Sequence, residues 1–190
     1  MSYPTSPDYS AIKLKGVSKT VKSETRSGKV QVRTIGAQRW EFTASYKDIS
    51  REQFTPVMAF IMSQDGMAGE FTVVPNVLGY PKNTVTGSAA LNEARSAGAT
   101  SIQIDGFTGT LSAGDFIKFA NHPKVYMITT DTTAFQFTTI TPPLVTSVPN
   151  NTAVIYNGVP FTVRLKNDVQ EFSASGYDKY QFEVDFIEVL

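Results

Sequence analysis

The clearest pattern along the chain is strict alternation of apolar and polar positions. In RWEFTASYKD, Trp40, Phe42, Ala44 and Tyr46 point one way while Glu41, Thr43, Ser45 and Lys47 point the other. This is the period of a strand with one buried face. The same period closes the chain, where Tyr180, Phe182, Val184 and Phe186 oppose Gln181, Glu183 and Asp185. The alternation then slips, because Ile187, Val189 and Leu190 leave both faces apolar. The slip predicts either a bulge that re-aims the strand or a chain end buried against another subunit. Upstream, AIKLKGVSKTVKSE and GKVQVRT alternate in shorter runs, with Val30 and Val32 on one face and Lys29, Gln31 and Arg33 on the other. Gly36 separates that run from the Trp40 strand, so the two predict a hairpin.

Between these strands the period changes once. In DISREQFTPVMAFIMSQDG, Phe54, Val57, Met58, Ile61 and Met62 recur at helical spacing. Ser50 is placed as an N-cap with Glu52 and Gln53 in the first turn, and Gly66 as a stop. Pro56 suits only a first turn, so the expected helix spans about 55–65, beginning nearer Thr55. It would lie as a core helix on a sheet.

From about Thr84 to Gly158 small residues, threonines and glycines dominate and charges thin out. ATSIQIDGF, DFIKFA, KVYMITT, AFQFTTI and TAVIYN are five short strand candidates separated by turn signals. Five strands in so short a segment is the scale of a small barrel of the OB or SH3 type. LNEARSAGA (91–99) reads as a helical turn or a loop at its entrance. After Gly158 the long alternating strands return in PFTVRLKND, VQEFSASG and the closing run.

The predicted fold is therefore mostly β: a sandwich or split barrel with one helix, interrupted by a small inserted barrel. Residues 1–9 form an extended, poorly packed arm. Residues 10–83 and 159–190 form one discontinuous unit, and residues 84–158 the insert. Two sequential domains is the competing organisation.

Composition narrows the function more than the fold. The 17 basic residues balance 17 acidic ones, so no whole-protein field steers nucleic acid or an anionic membrane. Near-neutral chains self-associate readily, as an assembly subunit would. No cysteine is present, which excludes disulfides, thiolate catalysis and cysteine-based zinc sites. No apolar run approaches the roughly 20 residues that span a bilayer, and the opening MSYPTSPDYSAIKLKG lacks an apolar signal core. A soluble protein made in the cytoplasm, without membrane insertion, is expected.

Candidate chemistry is sparse. The single histidine, His122, lies in a turn (ANHPK) and has no second imidazole for a metal site; Asp115 and Asp131 flank it distantly. Glu183, Asp185 and Glu188 are the nearest approach to the carboxylate pair of a glycosidase, and read more simply as a solvated or interface-facing row. No glycine loop of the phosphate-cradling kind opens a helix. The reading is no catalytic residues, no cofactor, no metal and no small-molecule substrate. One stretch is locally basic: Lys13, Lys15, Lys19, Lys22, Arg26, Lys29 and Arg33 stand against Glu24 alone. It fits a lysine-protected sheet edge or a lumenal surface facing packaged or passing DNA. Tyr177, Tyr180, Ile187, Val189 and Leu190 are candidates for a subunit interface.

The RWEFTASY strand, the REQFTPVMAFIMSQDGMAGEF helix region and the closing YQFEVDFIEVL strand resemble those of bacteriophage tail and baseplate proteins. LSAGDFIKFANHPKVYMIT is similar to the barrels inserted in such proteins. The nearest family is the distal tail protein of long-tailed phages. That resemblance implies a β-sandwich with a helix forming a hexameric ring between tail tube and baseplate, with an OB-type insert in some members. It implies a virion tail location after assembly in the host cytoplasm, with tail-tube and baseplate proteins as neighbours and no catalytic residues to carry over. Tail-tube, neck and baseplate-wedge components share related sheets and are alternatives. A carbohydrate- or receptor-binding module is the alternative of another class, since OB-type barrels bind sugars.

Overall fold

A computed structural model describes residues 1–36, 38–175 and 178–190. The chain is mostly β, with one α-helix. In order, the strands are β1 (Ala11–Val17), β2 (Thr20–Glu24), β3 (Val30–Thr34) and β4 (Arg39–Ser50), followed by α1 (Arg51–Met62). Then come β5 (Phe71–Val73), β6 (Thr86–Leu91), β7 (Ser101–Thr108), β8 (Phe116–Phe119) and β9 (Val125–Ile128). The last are β10 (Phe137–Thr141), β11 (Val154–Ile155), β12 (Phe161–Leu165), β13 (Phe172–Ser175) and β14 (Lys179–Glu188).

The first sheet runs β1-β4-β14-β12-β5, with β13 paired to β14 off that path. Its long central strands realise the alternation of the sequence. Trp40, Phe42, Ala44 and Tyr46 of β4 and Phe182, Val184 and Phe186 of β14 are buried in one core with Phe161, Val163 and Leu165. The register of β14 against β4 shifts between Tyr180 and Phe182, where β4 carries one residue more. Asp48 lies there in the left-handed region at φ +54°. This bulge lets Ile49, an odd position, return to the core after Tyr46. A bulge near Ile187 is therefore not what the closing strand uses. Ile187 stays in register with Glu41 and Arg164, and the inward position beyond Phe186 is held by Glu188.

Helix α1 starts earlier than Pro56 suggests. Ser50 Oγ accepts from the Gln53 N–H at 3.4 Å and Gln53 Oε1 accepts from the Ser50 N–H at 3.2 Å. This reciprocal capping box holds the first turn, and Pro56 is accommodated inside the helix. The missing proline N–H leaves only one helical bond unmade. Phe54, Val57 and Ile61 face the core. The first residues are not a loose arm. Tyr3 is buried, its hydroxyl oxygen accepting from the Tyr46 hydroxyl at 3.1 Å, and Ser2 bridges Thr72 in parallel at the β5 edge.

β3 also departs from expectation. It pairs with β2, not β4, as a separate two-stranded ribbon from Thr20↔Thr34 to Glu24↔Val30. β4 takes β1 and β14 as its neighbours instead.

The second six-stranded sheet runs β11-β8-β9-β10-β7-β6. Its ends approach through an Ala90↔Ala153 bridge and a Leu91 N–H bond to the Thr152 carbonyl, giving a nearly closed barrel. Ile102, Ile104, Ile117, Phe119, Tyr126 and Ile128 fill its interior. β6, built of small residues and invisible to hydrophobic patterning, bends against β7 at Gly87, whose φ is +106°. A Cβ there would meet the Gly106 carbonyl oxygen at 2.5 Å, so only glycine fits. Leu91 ends β6, and residues 92–99 are irregular, tied by an Arg95↔Val148 bridge.

β8 and β9 carry apolar residues on both faces because both faces are covered. Ile117, Phe119, Tyr126 and Ile128 enter the barrel, while Phe116 and Val125 belong to the core of the first sheet.

Candidate assembly surfaces and the junction

The seven basic residues singled out in the sequence are all exposed and fall on two elements. Lys13 and Lys15 lie on β1, at the end of the first sheet. Lys19, Lys22, Arg26, Lys29 and Arg33 lie on or beside the β2–β3 ribbon. The ribbon buries neither face: every residue of both strands is exposed, including Val21, Val30 and Val32 at 46–65%. A two-stranded hairpin in water is marginal at best, so this ribbon is chemically incomplete by itself.

The C-terminal candidates separate. Tyr180 is half-buried and stacks on Phe54 with ring centroids 4.4 Å apart and planes 8° from parallel. Ile187 and Leu190 line a cleft of about 270 Å³ with Val17, Lys19, Arg39 and Glu41. The Val189 N–H donates to the Thr162 carbonyl at 2.9 Å, which pins the strand end. Tyr177 lies outside the described residues.

Glu183 and Asp185 project from the outer face of β14. Glu183 accepts from Ser45 Oγ at 2.8 Å and Asp185 from Thr43 Oγ1 at 2.6 Å. With Asp168 and Glu171 they border an open cleft of about 850 Å³. Glu188 does not join them, because it faces inward with a side chain fully out of solvent. The three carboxylates thus do not form one cluster: Glu183 and Asp185 share the outer face and Glu188 the inner one.

Glu188 instead anchors the junction between the two sheets. Its Oε2 accepts from Lys124 Nζ at 2.5 Å and from the Trp40 N–H at 3.0 Å, and its Oε1 from the Val125 N–H at 3.0 Å. Lys124, equally buried, also donates to Gln38 Oε1 at 3.2 Å and lies 5.7 Å from the centre of the Trp40 ring. Trp40 Nε1 donates to the Val125 carbonyl at 2.9 Å, and its ring meets Phe116 edge-on. Lys118 Nζ adds bonds to the Pro160 carbonyl and Thr162 Oγ1. Burial pushes the Glu188 carboxyl up and the Lys124 ammonium down, and their mutual attraction opposes both shifts. Sequence reading passed over Lys124. The available signal was parity: Glu188 shares the inward period of Phe182, Val184 and Phe186.

The Leu111–Leu144 segment resolves into turn chemistry. Asp115 accepts from the Ser112 N–H at 2.8 Å and the Lys82 N–H at 3.0 Å, and Asp131 from the Ala113 N–H at 2.8 Å. His122 Nε2 bonds Tyr126 Oη at 2.8 Å and its Nδ1 bonds Asn121 Oδ1 at 2.8 Å. Tyr126 Oη in turn accepts from the Val145 N–H at 3.1 Å. Neither aspartate contacts the imidazole in these bonds. Burial first, then the charges of Lys118 and Lys124, hold the His122 pKa below its ordinary value.

That depression has a pH signature. The unfolded chain takes up a proton near pH 6.5, whereas the folded chain holds His122 neutral to lower pH. Stability from this site is therefore present above about pH 6.5 and is lost as pH falls toward the depressed folded value. His122→Gln should flatten this part of a pH–melting profile, and the one imidazole resonance should titrate below the ordinary histidine value by NMR.

No family model matches the chain. A curated protein that does match is the distal tail protein pb9 of Escherichia phage T5. It is 23% identical over 173 residues, and the match spans 86% of this chain and 84% of the phage protein. Across most of its length, then, this mostly-β chain resembles a bacteriophage tail protein of the distal tail kind.

Proposed function

We propose that the chain is a structural protein of a phage tail. It assembles with copies of itself into a ring, a hexamer by the family resemblance, that joins the tail tube to the baseplate or adsorption apparatus. Residues 10–83 and 159–190 build the ring, and residues 84–158 are an inserted barrel carried on it. The role is mechanical and needs no catalytic group.

The observation that carries this reading is the exposed ribbon. It presents unpaired backbone edges, exposed valines and a concentration of basic side chains. The outer cleft of the first sheet, bordered by Asp168, Glu171, Glu183 and Asp185 against Lys166, is net acidic. Two complementary patches at different places on one chain favour head-to-tail contacts, which form a ring when the rotation closes. The resemblance to a distal tail protein supports the location in a tail.

Native mass spectrometry and negative-stain microscopy of the purified chain test the proposal. The expected result is a closed ring of identical subunits. A chain that stays monomeric at high concentration, alone and with its tail neighbours, would overturn it.

A further inference from the structure

The junction sets an amine, a carboxamide and a carboxyl group side by side. Lys124 Nζ lies 3.2 Å from Gln38 Oε1 and 2.5 Å from Glu188 Oε2. The Lys124 and Glu188 side chains are 1% and 0% exposed, and the Trp40 ring, centred 5.7 Å from Nζ, flanks the amine. Glu188 is held in place by the Trp40 and Val125 N–H groups, each donating at 3.0 Å. Among the described residues, the buried Nε2 of Gln38 has no hydrogen-bond partner. Such a group carries its full desolvation penalty and calls for an explanation.

Room for that nitrogen is made on β1. A Cβ at Gly16 would stand 3.1 Å from Gln38 Nε2 and 3.2 Å from the Trp40 ring. An ion pair needs only Lys124 and Glu188. A carboxamide on the other side of the same amine, with its nitrogen unbonded, supplies what a transamidation needs: an electrophile and a leaving group.

We propose that Lys124 and Gln38 join in an isopeptide bond that the chain forms by itself, with Glu188 as the acid–base group. Burial disfavours both charged forms, holding the Lys124 ammonium pKa below and the Glu188 carboxyl pKa above their ordinary values. A proton therefore passes from Nζ to Glu188 and leaves a free amine. Nζ attacks Gln38 Cδ, the carbon that bears Oε1, and its electron pair makes the new C–N bond as the carbonyl pair moves to Oε1. Glu188 gives its proton to Nε2; the Cδ–Nε2 bond breaks with its electron pair, and ammonia leaves. The surplus proton on Nζ passes to Glu188, which ends as a neutral carboxylic acid. Atoms and charge balance with no further reactant. Holding the amine against the carboxamide removes the entropic part of the barrier, and a carboxyl group within reach of the reacting nitrogen carries the protons. Gln38 precedes β4 and Lys124 precedes β9, so the bond clamps the inserted barrel covalently to the first sheet. The proposal is independent of the ring.

Mass spectrometry of the denatured, intact chain tests it. The wild type should be lighter than its sequence requires by one ammonia, and proteolysis should release a branched peptide joining Gln38 to Lys124. The bond closes a loop in the chain, so the denatured wild type should also run ahead of its variants on a denaturing gel. Lys124→Arg and Gln38→Met should each restore the full sequence mass; Gln38→Met keeps the Lys124–Glu188 pair and with it the junction. Glu188→Met should slow bond formation about a hundred-fold or more, followed by mass in freshly refolded protein. A folded wild-type chain at its full sequence mass overturns the proposal. So does loss of water in place of ammonia, which would join Lys124 to Glu188, or loss of ammonia without the branched peptide. Ammonia loss that persists in Gln38→Met overturns it as well, and bond formation at the wild-type rate in Glu188→Met overturns the role given to Glu188.

Discussion

Glu188→Ala is expected to cost about 3–5 kcal/mol of stability, because it leaves the Lys124 ammonium buried without its counter-charge. The substitution also strips acceptors from the Trp40 and Val125 N–H groups, both buried. Each buried donor left unmade adds its own penalty. The melting temperature should fall by about 10 °C, given a shift of roughly 2–4 °C per kcal/mol in a chain of this size. The effect should be unequal across the molecule. Glu188 and Lys124 tie the first sheet to β9, so amide exchange should accelerate first around Trp40, Val125 and the end of β14. Replacing both partners, as Lys124→Met with Glu188→Leu, should recover the part of the loss that comes from the unpaired charge, leaving the penalty of the Trp40 and Val125 N–H groups. Equilibrium denaturation of the two variants checks this. A Glu188→Ala protein within about 1 kcal/mol of the wild type would show that the pair does not hold the junction.

Reversing charge on the ribbon should abolish assembly while leaving the subunit folded. Lys22 and Arg33 are exposed, and Lys22 makes an exposed 3.5 Å contact with Glu24. Lys22→Glu with Arg33→Glu should therefore change subunit stability by no more than about 0.5 kcal/mol. In a ring that seats the ribbon on the acidic cleft, the same change places like charges together, at a cost of several kcal/mol. Subunit association should weaken by about a hundred-fold or more. Glu183→Lys with Asp185→Lys, added in the same chain, should restore part of it. Raising ionic strength should loosen the wild-type ring in the same direction, since exposed pairs are screened beyond about 10 Å at 0.1 M salt. Sedimentation velocity across a salt series reads both effects. Rings unchanged by the reversal would exclude the ribbon as the charged half of the contact and leave the tail role to be carried by another surface.

Much of this fold is legible residue by residue. The inward faces of β4 and β14 follow directly from a two-residue period, and the single helix from a three-to-four-residue period plus a Ser50–Gln53 cap. The absence of cysteine sets disulfides and thiolate catalysis aside from the sequence alone. Where reading failed, a local signal was outweighed by a contact made elsewhere. Pro56 argued for a late helix start, but two capping bonds outweigh one missing helical bond. The first nine residues look like a tail because they are rich in proline and hydroxyl groups, yet Tyr3 finds a buried place beside Tyr46.

Pairing is the larger failure, and its cause is general. Alternation says which face of a strand is buried; it does not say which strand lies alongside, because every backbone offers the same donors and acceptors. The valines of β3 are as compatible with β4 as with β2, and only the three-dimensional competition with β1 and β14 for the edges of β4 sends β3 into a free ribbon. The same holds for the candidate sites. By itself the sequence determined a mostly-β chain with one helix and a basic stretch near its start. Only the tertiary structure decided that five of those basic residues lie on or beside an exposed two-stranded ribbon, that Glu188 meets Lys124 across 64 residues, and that Phe135 faces solvent. Burial, charge pairing and exposure depend on distances between residues far apart in the chain, and those distances exist only once the sheets have closed.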